Sequence, residues 1–170
     1  MTLESFLFYL LSIGGIGSAL LVVTRRNPIL SALWLIFNFF CLSGLYLTLH
    51  AQFIAVVQII VYAGAIMVLF LFVIMLLNLK DERKLTEGIT NRKIIGGVLT
   101  LAVLAELLTV FFGSSTVQIS SLGSRSLDIG TVEYIGSKLF TTFLLPFEIT
   151  SLLLTAAIVG AVILAKKKLN

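Results

Sequence analysis

Ala51–Asn78 reads AQFIAVVQIIVYAGAIMVLFLFVIMLLN, and no charged residue falls from Gln52 to Leu79. At 1.5 Å of rise per residue those twenty-eight positions make a helix of roughly 42 Å, longer than the ~30 Å hydrocarbon core of a bilayer. The run can therefore span a membrane with length left over for tilt or distortion. Its middle departs from a simple apolar helix. Tyr62-Ala63-Gly64-Ala65 sets three small residues beside a tyrosine hydroxyl at mid-membrane depth, where a polar group without a partner is costly. Three small side chains in succession thin the helix on every side, so neighbouring backbones approach and the local hydrogen-bond ladder is weakly defended. Membrane bundles use such waists for close packing; the same thinness suits a mechanically special segment.

Composition sets the class. The chain has 170 residues, 59% hydrophobic and 12% charged, against about 25% charged in an ordinary soluble domain. No polar stretch is long enough for a soluble domain. One cysteine, Cys41, and one histidine, His50, exclude a disulfide framework, a Cys/His zinc site and a bis-His haem within this chain. No phosphate-binding glycine loop, Ser–His–Asp set or nucleic-acid motif is visible.

The expected fold is all-α, with a single membrane domain over residues 1–170. Leu3–Val23 is the first span; Glu4 precedes its apolar run and Arg25-Arg26 follow it, the reverse of a secretory signal, so the helix is read as retained. Gly14 and Ser18 form a small-xxx-small pair suited to helix contact, as do Ala157, Ala161 and Ala165 near the C-terminus. Asn27 can cap the next helix, and Pro28 fits its first position, where no intrahelical N–H is needed. The second span, Ile29–Leu49, carries Trp34, Asn38 and Cys41, and His50-Ala51-Gln52 turns tightly into the third, 53–79. KDERKLTEGITNRK (Lys80–Lys93) is a charged loop in which Thr90 or Asn91 can cap the fourth span, Ile94–Phe112. Gly113–Ser137 is a Ser/Gly-rich loop with Arg125, Asp128 and Glu133. The last span, Lys138–Ala165, is interrupted by Pro146, which kinks or restarts it. Ten of the twelve Lys and Arg residues (Arg25, Arg26, Lys80, Arg83, Lys84, Arg92, Lys93, Lys166–Lys168) share one side of this five-span arrangement, against Arg125 and Lys138 on the other. The positive-inside rule then sets the N-terminus outside and the C-terminus in the cytoplasm.

Candidate chemistry is sparse. Glu106 and Glu148 are carboxylates inside spans, where such groups usually face a bundle interior or a wet cavity. Glu148 follows Pro146 by two residues, next to carbonyls that the proline leaves unpaired. A buried carboxyl beside a wet helix defect suits a proton path. On the third span, Gln58, Tyr62, Ala65 and Leu69 share one face at α-helical spacing, so Gln58 and Tyr62 can bond across the bundle or line a water file. His50, at a membrane edge, is read as interfacial. No set of ligands for an electron carrier is present, so no catalytic or cofactor-binding residue is expected in the chain itself.

Ile59–Phe70, IIVYAGAIMVLF, closely resembles the signature of subunit J of bacterial respiratory complex I, the proton-pumping NADH:quinone oxidoreductase, called subunit 6 in mitochondria. Leu144-Leu145-Pro146-Phe147-Glu148 with Ser151, and Asn27-Pro28 after the first span, resemble the same family in the same order. The resemblance implies five spans and a multi-pass protein of the bacterial cytoplasmic (inner) membrane. It implies a translocase subunit whose assembly carries NADH, FMN, iron–sulfur clusters and a quinone on other chains. It also implies partners: subunits A, H, K and N, subunit L through its lateral helix, and lipid. In that family the third span carries a π-bulge, here Tyr62, Ala63, Gly64 and Ala65, whose conversion to α-helix is proposed to gate a water path. Conversion would turn the C-terminal part of the helix, with Phe70, Phe72 and Met75, by about 100°. Some relatives carry glutamate where Gln58 stands, so a titratable role is absent there; Glu106 matches no motif. Two other functions fit the bare sequence. A cation/proton antiporter component would need intramembrane acid–base pairs, and a purely structural spacer would keep the third span in one conformation.

Overall fold

Asn27 and Pro28 start the second helix by local chemistry alone. In a computed structural model, which describes residues 2–77, 91–113 and 129–166, the Asn27 Oδ1 accepts from the Ile29 N–H at 3.0 Å and Pro28 is the first helical residue. Helix α1, Leu3–Thr24, is capped by Thr2, and α2 runs Pro28–Thr48. The two pack antiparallel through small residues. Gly15 and Ser18 are the buried pair, with Gly14 half-buried beside them. The Asn38 amide donates to the Gly15 carbonyl at 2.7 Å and to the Ser18 hydroxyl at 3.0 Å. In lipid an interhelical bond of this kind contributes on the order of 1 kcal/mol.

The turn out of α2 carries an unexpected device. His50 has φ of 60°; its N–H donates to the Leu47 carbonyl at 3.0 Å, and the Ala51 N–H to the Tyr46 carbonyl at 2.9 Å. This is the Schellman pattern, with histidine where glycine is usual. It reverses the chain within two residues and starts α3, Gln52–Leu76, which packs back along α2. Ala32, Met67 and Ile74 form the apolar core of that contact, with Leu35, Ile36, Phe39 and Leu71 around it.

Helix α4 runs Asn91–Gly113, α5 Val132–Phe140 and α6 Leu144–Ala165. Among the described residues four helices are long and apolar enough to cross a membrane: Leu3–Thr24, Pro28–Thr48, Gln52–Leu76 and Leu144–Ala165. The expected fourth span appears as a shorter apolar stretch, Ile95–Val110, within α4. The expected last span is corrected at its start. Lys138 belongs to α5, a short amphipathic helix capped by Thr131, and Thr141–Phe143 break the chain before α6. Pro146 is the third residue of α6. In a continuous helix its ring would strike the carbonyl four residues back, whereas in a first turn its missing N–H costs nothing. The helix therefore restarts there instead of kinking. Phe140 and Phe147 meet edge to face across the break, ring centres 5.2 Å apart.

From Ile95 the described side chains of α4, and nearly all of α6, are exposed in this single chain. Asn78, Leu79 and the charged loop to Thr90, the loop residues Arg125 and Asp128, and Lys167 and Lys168 lie outside the described residues.

Candidate functional site

Helix α3 has three parts: α-helix over Gln52–Val57, π-helix over Gln58–Ile66, and α-helix over Met67–Leu76. Tyr62, Ala63, Gly64 and Ala65 lie in the second half of the π segment. At its end the Met67 N–H points to the Tyr62 carbonyl, five residues back, and to that of Gly64. Single-turn π-bulges concentrate at functional positions, and nine residues is long for one.

The π register changes which side chains face α2. The buried positions of α3 are Ala55, Gln58, Ala63, Met67 and Ile74. From Gln58 to Ala63 the step is five residues, the π repeat, where an α-helix would use three or four. The expected face of Gln58, Tyr62, Ala65 and Leu69 is therefore not formed. Gln58 is buried, at 7% exposure, while Tyr62 is 46% exposed and Leu69 66%. Tyr62 leans on α2 only through its ring, edge to face with Phe39 at 5.8 Å. Among the described residues its hydroxyl and the Gln58 amide make no hydrogen bond.

Gly64 lies where an added side chain would press on the helix backbone. A Cβ there would stand 3.2 Å from the carbonyl oxygen of Ile59, the residue five before it, inside ordinary contact distance. Nearer the start of α3 the Ser43 hydroxyl on α2 donates to the Ala55 carbonyl at 2.8 Å, with both residues buried. Sequence reasoning passed over Ser43, although a hydroxyl in an otherwise apolar run (Cys41-Leu42-Ser43-Gly44) was a visible signal. It placed His50 in the tight turn into α3 but not in the left-handed conformation that makes the turn.

The other candidates lie elsewhere. Glu148 is the fifth residue of α6, about 6 Å along that helix from its start at 1.5 Å per residue. Its carboxylate is exposed and makes no ion pair among the described residues, and α6 packs on α5. Its backbone carbonyl accepts from the Ser151 hydroxyl at 2.9 Å, and that of Pro146 from Thr150 at 2.8 Å. Glu106 is exposed on α4, its carbonyl bonded by Thr109 at 2.7 Å. Cys41 is buried against α1, where a Cβ on Gly14 would be 3.2 Å from its sulfur. Among the described residues no three His, Cys, Asp or Glu side chains gather as a metal site would require. The arrangement at α3 offers no group poised to make or break a bond. It offers a helix held in an uncommon register.

Comparison with known proteins adds the family context. Residues 18–164 match the family described as NADH-ubiquinone/plastoquinone oxidoreductase chain 6. The chain is similar to the NAD(P)H-quinone oxidoreductase subunit 6 of the organellar chromatophore of Paulinella chromatophora, 39% identical over 95% of this chain and 78% of the relative. It is 38% identical to NADH-quinone oxidoreductase subunit J of Rickettsia prowazekii, over 95% and 80%. It is 36% identical to F(420)H(2) dehydrogenase subunit J of Methanosarcina mazei, over 99% of this chain and 94% of the relative.

Proposed function

Because this chain belongs to the NADH-ubiquinone/plastoquinone oxidoreductase chain 6 family, we propose that it is a non-catalytic membrane-arm subunit that couples quinone reduction to proton translocation through the register of α3. The observation that carries the reading is the π-helix at Gln58–Ile66. In an α register Gln58 and Tyr62 stand one turn apart on the side facing α2, so an amide and a hydroxyl line up and can hold water between them. In the π register Ala63 takes that side and the polar file is interrupted. The gate is then a change of register, with Tyr62, Ala63, Gly64 and Ala65 as its moving part. Glu148 serves the proton path from α6, as a carboxyl brought to the file by the assembled complex, and Glu106 has the weaker case.

The remaining assignments belong to the same proposal, and membership of the family supports them. The chain crosses the bacterial inner membrane five times, with α4 as the fourth span and the C-terminus in the cytoplasm. NADH, FMN, iron–sulfur clusters and quinone are bound by other chains, and subunits A, H, K, N and L are its neighbours. Relatives named for NADH, NAD(P)H and F(420)H(2) fit a subunit whose part is indifferent to the electron donor. The test is Gly64→Leu in the assembled complex. Assembly near normal with slowed or uncoupled quinone-linked proton pumping is expected; normal pumping in membrane vesicles refutes the gate.

A further inference from the structure

The N-terminal end of α3 is fastened by hydrogen bonds, whereas among the described residues its C-terminal part is held to α2 by apolar packing alone. Ala51, just before the helix, supplies no side-chain cap, so the first free N–H groups of α3 need another acceptor. The Phe53 N–H finds one in the Gly130 carbonyl at 3.2 Å, far along the chain, immediately before α5. The approach is close enough to require glycine. A Cβ on Gly130 would run into the His50 carbonyl oxygen and reach 3.0 Å from the Ala51 Cα. Gly130 has no positive φ, so proximity to the α2–α3 turn, and not backbone conformation, demands the missing side chain. The Ser43 bond to the Ala55 carbonyl is a second fastening within the same turn of α3. Beyond the π segment, among the described residues, Met67 and Ile74 are buried with Leu71 packed beside them, and Met75 and Leu76 are 59% and 83% exposed.

We propose that Gly130 is a positioning residue, a clamp that fixes the rotational register of the N-terminal end of α3. A change between π and α then appears wholly at the C-terminal end, Met67–Leu76. The proposal rests on the gating reading above and adds where its motion is directed. Gaining or losing a single residue of register inside Gln58–Ile66 rotates one end of the helix against the other by about 100°. Which end turns depends on which is held. With Phe53 and Ala55 bonded, the turn carries Phe70, Phe72 and Met75 across their neighbours while the His50 turn stays still. The same contact joins α5 to the still end, so that α5 and the start of α6 keep their place as the far end moves.

The experiment places spin-label pairs in the intact complex at exposed positions, Leu3 with Ile54 and Val23 with Met75, with Cys41 left buried. Distances are compared at rest and in freeze-trapped turnover. A label about 5 Å from the helix axis that turns by about 100° moves about 8 Å, the shift expected for the Met75 pair; the Ile54 pair is expected to move by less than about 2 Å. In Gly130→Ala the Ile54 pair is expected to shift between states and the Met75 shift to shrink. Equal shifts of both pairs in the unmodified chain overturn the clamp and leave the gate standing. An Ile54 pair that stays fixed in Gly130→Ala overturns the part given to Gly130. No shift of either pair overturns the gating reading itself. The wild-type comparison decides the matter even where Gly130→Ala fails to assemble.

Discussion

If α3 changes register as proposed, Gly64→Ala is the smallest perturbation that separates its π form from an α form. The new Cβ lies 3.2 Å from the Ile59 carbonyl oxygen in the π-helix, whereas a regular α-helix accepts alanine at any interior position without contact to a carbonyl five residues back. Backbone entropy lost by glycine or alanine counts in both registers and largely cancels. What remains is the crowding, and one extra methyl in a tight place costs about 1 kcal/mol at the low end of the overpacking range. A bias of that size moves a two-state population about fivefold. Gly17→Ala is the matched control, since a Cβ at Gly17 has open space around it. Both variants are compared in inverted vesicles for NADH turnover and for protons taken up per electron, at matched levels of assembled complex. Gly64→Ala is expected to lower proton uptake or turnover about fivefold, and Gly17→Ala to leave both unchanged. Identical behaviour of the two would refute the idea that the registers are nearly balanced and that cycling between them matters.

Two more perturbations probe the surroundings. His50→Gly relieves a left-handed residue with φ of 60° and is expected to stabilise the α2–α3 hairpin by about 1 kcal/mol. The readout is the temperature at which the subunit is lost from the detergent-extracted complex, and a lower temperature than wild type would contradict the Schellman assignment. Glu148→Gln keeps the shape and hydrogen bonding of the side chain while removing its charge. If the carboxyl carries protons, pumping should fall by roughly an order of magnitude or more with assembly intact; unchanged pumping would reduce Glu148 to a structural hydrogen-bonding group.

Hydropathy and local chemistry made much of the fold readable. The Asn27-Pro28 start of α2 depends on two adjacent residues, and the first three spans depend on apolar length. The last span was harder, because Pro146 permits either a kink or a restart. The choice was made by Thr141–Phe143, which hold φ,ψ values such as −118°, −74° at Thr141 that no simple propensity announces. His50 was opaque for a related reason: the position wants a glycine, and nothing in a histidine advertises a positive φ. Gly130 was opaque because its reason lies in the His50 carbonyl, remote in sequence. The face of α3 was misjudged because three- and four-residue spacing presumes the α repeat. A π segment has no periodicity signal strong enough to read from nine residues, although the Ala-Gly-Ala waist marked where one could sit.

That misjudged face is informative in its own right. Gln58, Tyr62, Ala65 and Leu69 are the side chains that an α register would turn toward α2, and Gln58, Ala63 and Met67 are the ones that face it in the π register. Gln58 belongs to both sets, so it can act as the pivot from which the two registers diverge. One step on, the exchange is Tyr62 for Ala63; two steps on, it is Ala65 for Met67, so each step trades a large side chain for a small one, in opposite senses. Tyr62 is the one exchanged side chain that carries a polar group, and its ring already rests on Phe39 of α2 in the π form. A bistable helix needs two arrangements whose energies nearly match. On the gating proposal, small residues at Ala63, Gly64 and Ala65 leave room for both, the opposite senses of the Tyr62–Ala63 and Ala65–Met67 exchanges offset each other in volume, and a single tyrosine is left to carry the polar consequence of the change.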